Sequence, residues 1–188
     1  MRSWKTMKRP AIFLDRDGVL TVEHMTITIP SEIEIFDYAR ECVDKIHKLG
    51  YLAIVITNQE GVAKGLFSMD ELTALNRRIR SSLGVDDIFC CPHHPEGSVK
   101  EYAIVCDCRK PKPGLIRQAT DKYDVDLKRS YMVGDRAGDI LAGESAGVRT
   151  VLLDSGYGRS KLEEDVVADY YCADLKEFVF SILPKDCG

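Results

Sequence analysis

The sequence contains no hydrophobic run that is long enough to cross a membrane. A membrane-spanning helix needs ~18 or more consecutive apolar residues, and the apolar stretches of this chain are much shorter. The basic segment 1–10 ("MRSWKTMKRP") leads into only a few apolar residues before Asp15, which is too short for the apolar core of a signal peptide. We therefore expect a soluble protein of the cytoplasm with no membrane partner.

Positive charge is not in excess either. The formal net charge is -4 and the isoelectric point is about 5.6, whereas proteins that wrap nucleic acid are usually basic. The sequence also lacks internal repeats, a linker and any insertion of ~60 residues that could form a lid domain. We expect one domain over residues 1–188, acting as a monomer and with no nucleic-acid partner.

Short apolar segments do occur, and they alternate with amphipathic helical patterns. Strands are predicted at 11–15, 51–57, 87–91, 130–135, 149–154 and 168–173. Helices are predicted over 37–49, after the Ser68/Glu71 capping box, after Pro113, over 137–147 and after Asp174. This alternation predicts an α/β fold with a doubly wound parallel sheet. The long irregular segment 92–112 is expected to be functional or held in shape by a metal.

Polar side chains follow three of the predicted strands. Asp15 and Asp17 end the first, Thr57 and Asn58 end the second, and Asp135 ends a later one. Ligands of such sheets bind outside the carboxyl ends of the strands, so these residues would converge if their strands are neighbours. Thr57 and Asn58 could then donate hydrogen bonds to phosphoryl oxygens.

The acids could carry out phosphoryl transfer. A carboxylate such as Asp15 can attack phosphorus to form an aspartyl-phosphate, and Asp17 can act as general acid and base. Two close acids repel each other, which favours a divalent cation. With Asp135 they make an oxygen-only site that suits Mg²⁺, and Lys110 would offset developing negative charge.

Four motifs resemble those of the haloacid dehalogenase superfamily, in order and at fitting spacing. They are "DRDGV" (15–19), "TNQEGVAKG" (57–65), "CRKPKPG" (108–114) and "VGDRAGD" (133–139). From about Ala11 to Leu183 the chain resembles the D-glycero-D-manno-heptose-1,7-bisphosphate 7-phosphatase family. "CPHHPEGS" with "CDCRKP" narrows the resemblance to the branch shared with histidinol-phosphate phosphatases, and the pattern TNQ-G-A-G favours the heptose member.

The resemblance implies a Rossmann-like core without a large cap domain and a Mg²⁺-dependent sugar-phosphate phosphatase. Asp15 matches the nucleophile, and Asp17 matches the acid/base, which also gives its backbone carbonyl to Mg²⁺. Asp135 matches the carboxylate that binds the metal, and Asp139 fits a supporting acid. The positions that match phosphate or substrate contacts are Thr57, Asn58, Arg109, Lys110, Arg136 and His24. A solvated loop histidine remains an alternative for His24.

The cysteines and histidines near the middle of the chain form a C-x-H…C-x-C pattern. The predicted zinc ligands are Cys91, His93, Cys106 and Cys108. His94 is an alternative ligand, although the family pattern favours His93, and Cys90 is expected on the opposite face of its strand. Four protein ligands leave no open position, so the zinc should be structural and fix where Arg109 and Lys110 point. Buried reduced thiols are the alternative to a metal.

The function expected from these features is hydrolysis of the 7-phosphate of a heptose 1,7-bisphosphate, with Mg²⁺ and Zn²⁺ as cofactors. A histidinol-phosphate phosphatase of the same build is the alternative. A zinc-stabilised binding module with an inactive site is a third interpretation, and the intact set of Asp15, Asp17, Lys110 and Asp135 argues against it.

Overall fold

A six-stranded parallel sheet forms the centre of the molecule in a computed structural model that describes residues 8–23, 30–161 and 165–186. The strands are β1 (Ala11–Leu14), β2 (Leu52–Asn58), β3 (Asp87–Cys91), β4 (Tyr131–Gly134), β5 (Arg149–Leu153) and β6 (Tyr170–Cys172). Their order is β3-β2-β1-β4-β5-β6, and every neighbouring pair is parallel. The predicted doubly wound sheet is confirmed, and its strand order reverses between β1 and β4, where such folds bind ligands.

Helices cover both faces of the sheet. They are α1 (Ala39–Lys48), α2 (Met69–Leu83), α3 (Gly114–Tyr123), α4 (Ala137–Ala146), α5 (Leu175–Glu177) and α6 (Leu183–Asp186). Single 3₁₀ turns lie at Pro30–Glu32, Leu127–Arg129 and Arg159–Lys161. Among the described residues, no helix is both long and apolar enough to span a bilayer.

The core has two layers because side chains of a strand alternate between the faces of a sheet. On β1, Ile12 and Leu14 pack with residues of α1, α2 and the C-terminal helical segment. Ala11 and Phe13 point the other way and pack with residues of α3 and α4. All four side chains are fully buried, so β1 is a central strand that fixes the position of whatever follows Leu14.

The small residues of α4 let this helix lie close to the sheet, as the sequence predicts. A Cβ atom built on Gly143 would be 2.8 Å from side-chain atoms of both Met132 on β4 and Thr150 on β5. Only a glycine fits at that separation. The close contact places the first residues of α4 directly beside the carboxyl end of β4.

The C-terminal helix differs in detail from the sequence prediction. The predicted cap is confirmed, since Asp174 Oδ1 accepts a hydrogen bond from Glu177 N at 2.8 Å. A π-helical turn, Phe178–Ile182, then separates α5 from α6. Because the wider turn adds a residue, Leu183 is fully buried, whereas Ile182 is only partly buried.

The capping box at the start of α2 gives a test of local stability. Ser68 Oγ accepts a hydrogen bond from Glu71 N at 3.2 Å, and Ser68 N donates to the Glu71 carboxylate at 2.7 Å. Ser68→Ala should lower the free energy of unfolding by about 1 kcal/mol, because a backbone donor of the first turn loses its partner. Urea unfolding measures this change. Ser81→Ala, at an exposed position of the same helix, should cause no loss, since alanine is the better helix former.

Candidate active site

A polar cleft of about 450 Å³ opens at the point where the strand order reverses. Its acidic lining residues are Asp15, Asp17, Glu23, Glu60 and Asp139, and its basic ones are Arg16, Lys64, Arg109, Lys110 and Arg136. Asn58, Gln59, Gly61, Gly138 and Tyr157 complete the lining. The expected convergence of the strand ends is therefore confirmed for Asp15 and Asp17 after β1 and for Asn58 at the end of β2.

Lys110 lies at the bottom of this cleft and joins two acids. Its Nζ atom is 2.9 Å from Asp15 Oδ1 and 2.5 Å from Asp139 Oδ1, and it also donates to the carbonyl of Ile56 at 2.9 Å. Burial alone would lower the pKa of Lys110, but the charges of Asp139 and Asp15 raise it above its ordinary value. Lys110 is thus a fixed positive charge beside Asp15.

Asp15, Asp135 and Asp139 form a candidate metal site. One carboxylate oxygen from each lies within 4.8 Å of the others. Burial raises the pKa of Asp15 to about 7, although Lys110 acts in the opposite direction. Burial, together with the charges of Asp139 and Asp15, raises the pKa of Asp135 to about 8. Three buried acids in one place are unfavourable without a further cation.

The environment of Asp135 fits a metal ligand. Its Oδ1 atom is buried and accepts no hydrogen bond from the described residues, whereas Oδ2 accepts one from Tyr157 N at 2.8 Å. Gly18 (φ +82°) leads the chain past this carboxylate, and a Cβ atom there would be 2.6 Å from Asp135 Oδ2. Asp135 Oδ1 also lies 4.0 Å from Arg136 Nε. A carboxylate oxygen without a hydrogen bond, among hard oxygen donors, is the donor set that Mg²⁺ prefers.

The carboxylate of Asp17 faces a different set of partners. Arg16 donates to both of its oxygens at 3.0 Å, and Gln59 Nε2 and Thr21 Oγ1 each donate at 2.9 Å. Burial would raise the pKa of Asp17, but Arg16 and these hydrogen bonds lower it below its ordinary value. The structure therefore favours the ionised form of Asp17 at the wall of the cleft, apart from the group formed by Asp15, Asp135 and Asp139.

The two polar residues after the second strand have different surroundings. Asn58 pairs with the backbone of Lys110, accepting from its N at 3.0 Å and donating to its carbonyl at 3.1 Å. Thr57 is buried, and its hydroxyl accepts a hydrogen bond from Gln59 at 2.9 Å. Asn58 thus fixes the position of Lys110, while Thr57 lies beneath the cleft lining.

Two arginines expected at the substrate side both pair with glutamates. Arg109 Nη2 donates to Glu60 in a very short ion pair, and its Nη1 donates to the carbonyl of His93 at 3.2 Å. Arg136 Nη2 donates to Glu23 at 2.7 Å, and its guanidinium lies 3.9 Å from the ring centre of Tyr157. Both arginines line the cleft.

For several lining residues the sequence predicts no individual role, although Arg16, Gln59 and Glu60 lie within the motifs quoted above. Arg16, Gln59, Glu60 and the segment 155–158 had no assigned role, and His24 lies outside the described residues. Ser155 Oγ donates to the carbonyl of Gly18 at 2.7 Å. The segment follows β5 at the carboxyl edge of the sheet. Asp15 and Asp135 follow β1 and β4 at the same edge, where ligands of such folds bind, so the position of the segment after a strand is a sequence signal for it.

The cysteine and histidine residues of the long loop cluster as predicted. Cys108 Sγ lies 3.1 Å from Cys91 Sγ, 3.2 Å from Cys106 Sγ and 3.3 Å from His93 Nδ1. Zn–S bonds of ~2.3 Å would place the ligand atoms of a tetrahedron about 3.8 Å apart, slightly more than is observed. The sulfur atoms are too far apart for disulfides, which measure ~2.05 Å.

The neighbouring candidates face elsewhere. His94 Nε2 is 3.6 Å from Glu60 Oε2, so His93 rather than His94 contributes to the cluster. Cys90 packs with Val62, Phe67 and Leu72 on the opposite face of β3, as the alternation predicts. Cys91, His93, Cys106 and Cys108 can therefore hold a zinc ion. His94 instead lies beside Glu60, the acid that pairs with Arg109.

Comparison with known proteins indicates a family of phosphatases. A family model described as "HAD-hyrolase-like" matches residues 107–178. The chain is 44% identical over 164 residues to a D-glycero-alpha-D-manno-heptose-1,7-bisphosphate 7-phosphatase of Photorhabdus laumondii. The aligned region covers 82% of this chain and 88% of that protein. It is also 39% identical over 152 residues to a D-glycero-beta-D-manno-heptose-1,7-bisphosphate 7-phosphatase of Vibrio cholerae. That alignment covers 78% of this chain and 82% of the Vibrio protein.

A solved structure agrees with these relatives. The crystal structure of D,D-heptose 1.7-bisphosphate phosphatase from B. bronchiseptica, complexed with magnesium and phosphate, superposes with a TM-score of 0.79 at 31% sequence identity. The match covers 94% of this chain and 99% of that one.

Proposed function

Because this chain belongs to the heptose-1,7-bisphosphate 7-phosphatase family of haloacid dehalogenase-like hydrolases, we propose that it removes the 7-phosphate of D-glycero-D-manno-heptose 1,7-bisphosphate. The observation that carries the proposal is the convergence of Asp15, Lys110 and Asp139 in the lining of one cleft, with the buried Asp135 beside them. A nucleophilic carboxylate, a buried cation and an acidic metal site are the groups that phosphoryl transfer needs.

The acidic group would hold Mg²⁺. Asp15 and Asp135 supply carboxylate oxygens, and Asp17 is proposed to supply its backbone carbonyl. The absence of a hydrogen bond to Asp135 Oδ1 from the described residues supports this assignment, as does the magnesium in the related B. bronchiseptica phosphatase. When bound, the ion neutralises phosphate charge and orients the phosphoryl group for in-line attack.

The first step transfers the phosphoryl group to Asp15. A carboxylate oxygen of Asp15 forms a bond to phosphorus while the bond from phosphorus to the sugar oxygen breaks. Asp17 gives the leaving oxygen the proton that it took from water in the second step of the preceding turnover. Lys110, 2.9 Å from Asp15, offsets the negative charge that develops on the phosphoryl oxygens.

The second step restores the enzyme. Asp17 takes a proton from water, and the water oxygen attacks phosphorus while the bond between phosphorus and Asp15 breaks. Inorganic phosphate leaves and the carboxylate of Asp15 is regenerated. The hydrogen bonds from Arg16 and Gln59 to Asp17 support this proposed role, because they favour the ionised form that accepts the proton.

The remaining predicted contacts would position the substrate. Asn58 and Thr57 are proposed to bind the transferred phosphate. Asn58 does so from the cleft lining, where it also fixes Lys110, and Thr57 from just beneath the lining. Arg109 and Arg136 are proposed to contact the substrate, and His24 is proposed at its entrance. Both arginines already hold an acid within the cleft, which supports their ability to bind an anionic substrate there.

Zinc would serve the structure and not the reaction. Cys91, His93, Cys106 and Cys108 supply four ligands, so no position is left for water. Burial raises the pKa of Cys91, and a bound cation would favour its ionised form. Arg109 and Lys110 follow Cys108 directly, so the metal would fix the start of the segment that carries them.

The protein is further proposed to be a single-domain monomer that acts in the cytoplasm. The six described cysteines are free thiols, which supports a reducing compartment.

A phosphate-release assay with purified protein and Mg²⁺ tests the proposed function. We expect kcat/KM for heptose 1,7-bisphosphate to exceed that for histidinol phosphate by at least about a hundredfold, because a substrate with a second phosphate can use the cations of the cleft. The anomers of the heptose should be assayed separately. A preference for histidinol phosphate would contradict the proposal.

A further inference from the structure

Every basic side chain that lines the cleft is already paired with an acid. Arg16 pairs with Asp17, Lys110 with Asp15 and Asp139, Arg136 with Glu23, and both Lys64 and Arg109 with Glu60. Glu60 is the only acid in this group that two substrate-facing cations share, among the residues that the structure describes. It is therefore an internal anion within the substrate cleft.

The contacts of Glu60 define a compact ionic group. Its Oε1 atom accepts from Lys64 Nζ at 2.5 Å, its Oε2 atom accepts from Arg109, and His94 Nε2 lies 3.6 Å away. The Glu60 side chain is 25% exposed and borders the cleft. Burial would raise its pKa, but Lys64 and Arg109 hold it below the ordinary value.

This group is separate from the group that surrounds the proposed nucleophile. Lys110 contacts Asp15 and Asp139, whereas the ion pairs of Lys64 and Arg109 among the described residues are with Glu60. The transferred phosphate would therefore use Lys110, which leaves Lys64 and Arg109 for another anion in the same cleft. A phosphate at that position would need the hydrogen-bond donors that Glu60 now occupies.

We propose that Glu60 is a specificity-determining residue that competes with the second phosphate of the substrate for Arg109 and Lys64. This inference rests on the proposed bisphosphate phosphatase function. In the free enzyme the carboxylate keeps the two cations in place. When the second phosphate binds, it takes over these donors, and its affinity is reduced by the negative charge that remains beside it.

Glu60→Gln tests the competition. The amide keeps an oxygen that can accept from Lys64 or Arg109, but the negative charge is gone. We expect KM for heptose 1,7-bisphosphate to fall about fivefold, the size of one like-charge repulsion at short range in a solvated site. For heptose 7-phosphate, which lacks the second phosphate, KM should change by less than about twofold, and kcat should be unchanged for both substrates.

Matched variants separate this effect from other causes. Glu96→Gln removes the same charge from an exposed position of the neighbouring loop and should leave both KM values unchanged. Glu60→Ser removes the charge and shortens the side chain, and it carries the test if the glutamine variant does not fold. Thermal unfolding of each protein identifies a folding defect.

The outcome also distinguishes the two proposals. A bisphosphate KM that rises or stays constant in Glu60→Gln, or one that falls equally for the monophosphate, would overturn the competition. If the wild-type protein does not hydrolyse heptose 1,7-bisphosphate, the proposed function fails instead. Calorimetric titration with fructose 1,6-bisphosphate and fructose 6-phosphate then still tests Glu60, since tighter binding of only the bisphosphate by Glu60→Gln supports the inference and equal binding contradicts it.

Discussion

Asp15→Asn is expected to lower kcat for phosphate release by at least about a thousandfold, because the variant has no carboxylate to attack phosphorus. Asparagine has nearly the same shape, so the cleft and its cation at Lys110 should remain in place. Steady-state phosphate release at saturating substrate measures the loss. Asp121→Asn, at an exposed position of α3, makes the same chemical change away from the cleft and should keep full activity.

The stability of this variant separates a chemical effect from a folding defect. Burial raises the pKa of Asp15 to about 7, so the ionised side chain is disfavoured in the fold. Lys110 keeps Asp139 as a partner at 2.5 Å when Asp15 is neutralised. We therefore expect the free energy of unfolding to be equal to or higher than that of the wild type. An inactive but well folded variant fits the account, and an active one contradicts it.

Removal of the zinc cluster should have the second large effect. Cys108→Ser takes away the sulfur that contacts Cys91, Cys106 and His93. We expect the free energy of unfolding to fall by roughly 3 kcal/mol or more, because a structural zinc stabilises the folded state through its binding free energy. We also expect KM to rise, since Arg109 and Lys110 follow this residue directly.

The measurements for this variant are metal content, urea unfolding and steady-state kinetics. Wild-type protein should contain one tightly bound zinc per chain, and Cys108→Ser should contain much less. Cys90→Ser changes a thiol on the opposite face of β3, outside the cluster, and should keep both zinc and KM. A zinc-free wild-type protein with normal stability and normal kinetics would show that the loop needs no metal.

Much of the site could be predicted from the sequence because its groups follow strand ends. The apolar segments before Asp15, Asn58 and Asp135 identify β1, β2 and β4, and parallel strands place their carboxyl ends at one edge. The strand order then makes β1 the neighbour of both β2 and β4. The cysteine spacing likewise indicated the cluster of three thiols and one imidazole, because that pattern is typical of a zinc site.

The ion pairs inside the cleft could not be predicted in the same way. Arg16 is 1% exposed, although arginine is usually a surface residue, and its burial depends on Asp17 and Gln59 being positioned around it. Glu60 and Arg109 are 49 positions apart. Nothing local indicates that pairing, because it arises only when the loop after β2 meets the long segment after β3.

The proposed intermediate can be observed directly. Wild-type protein and Asp17→Asn are mixed rapidly with heptose 1,7-bisphosphate and Mg²⁺, quenched in acid, digested and analysed by mass spectrometry. The account predicts a phosphoryl group on the peptide that contains Asp15, which in Asp17→Asn forms more slowly because the first step lacks its acid and persists longer because the second step lacks its base. Continued phosphate release with no phosphoryl group on Asp15 in either protein would contradict it.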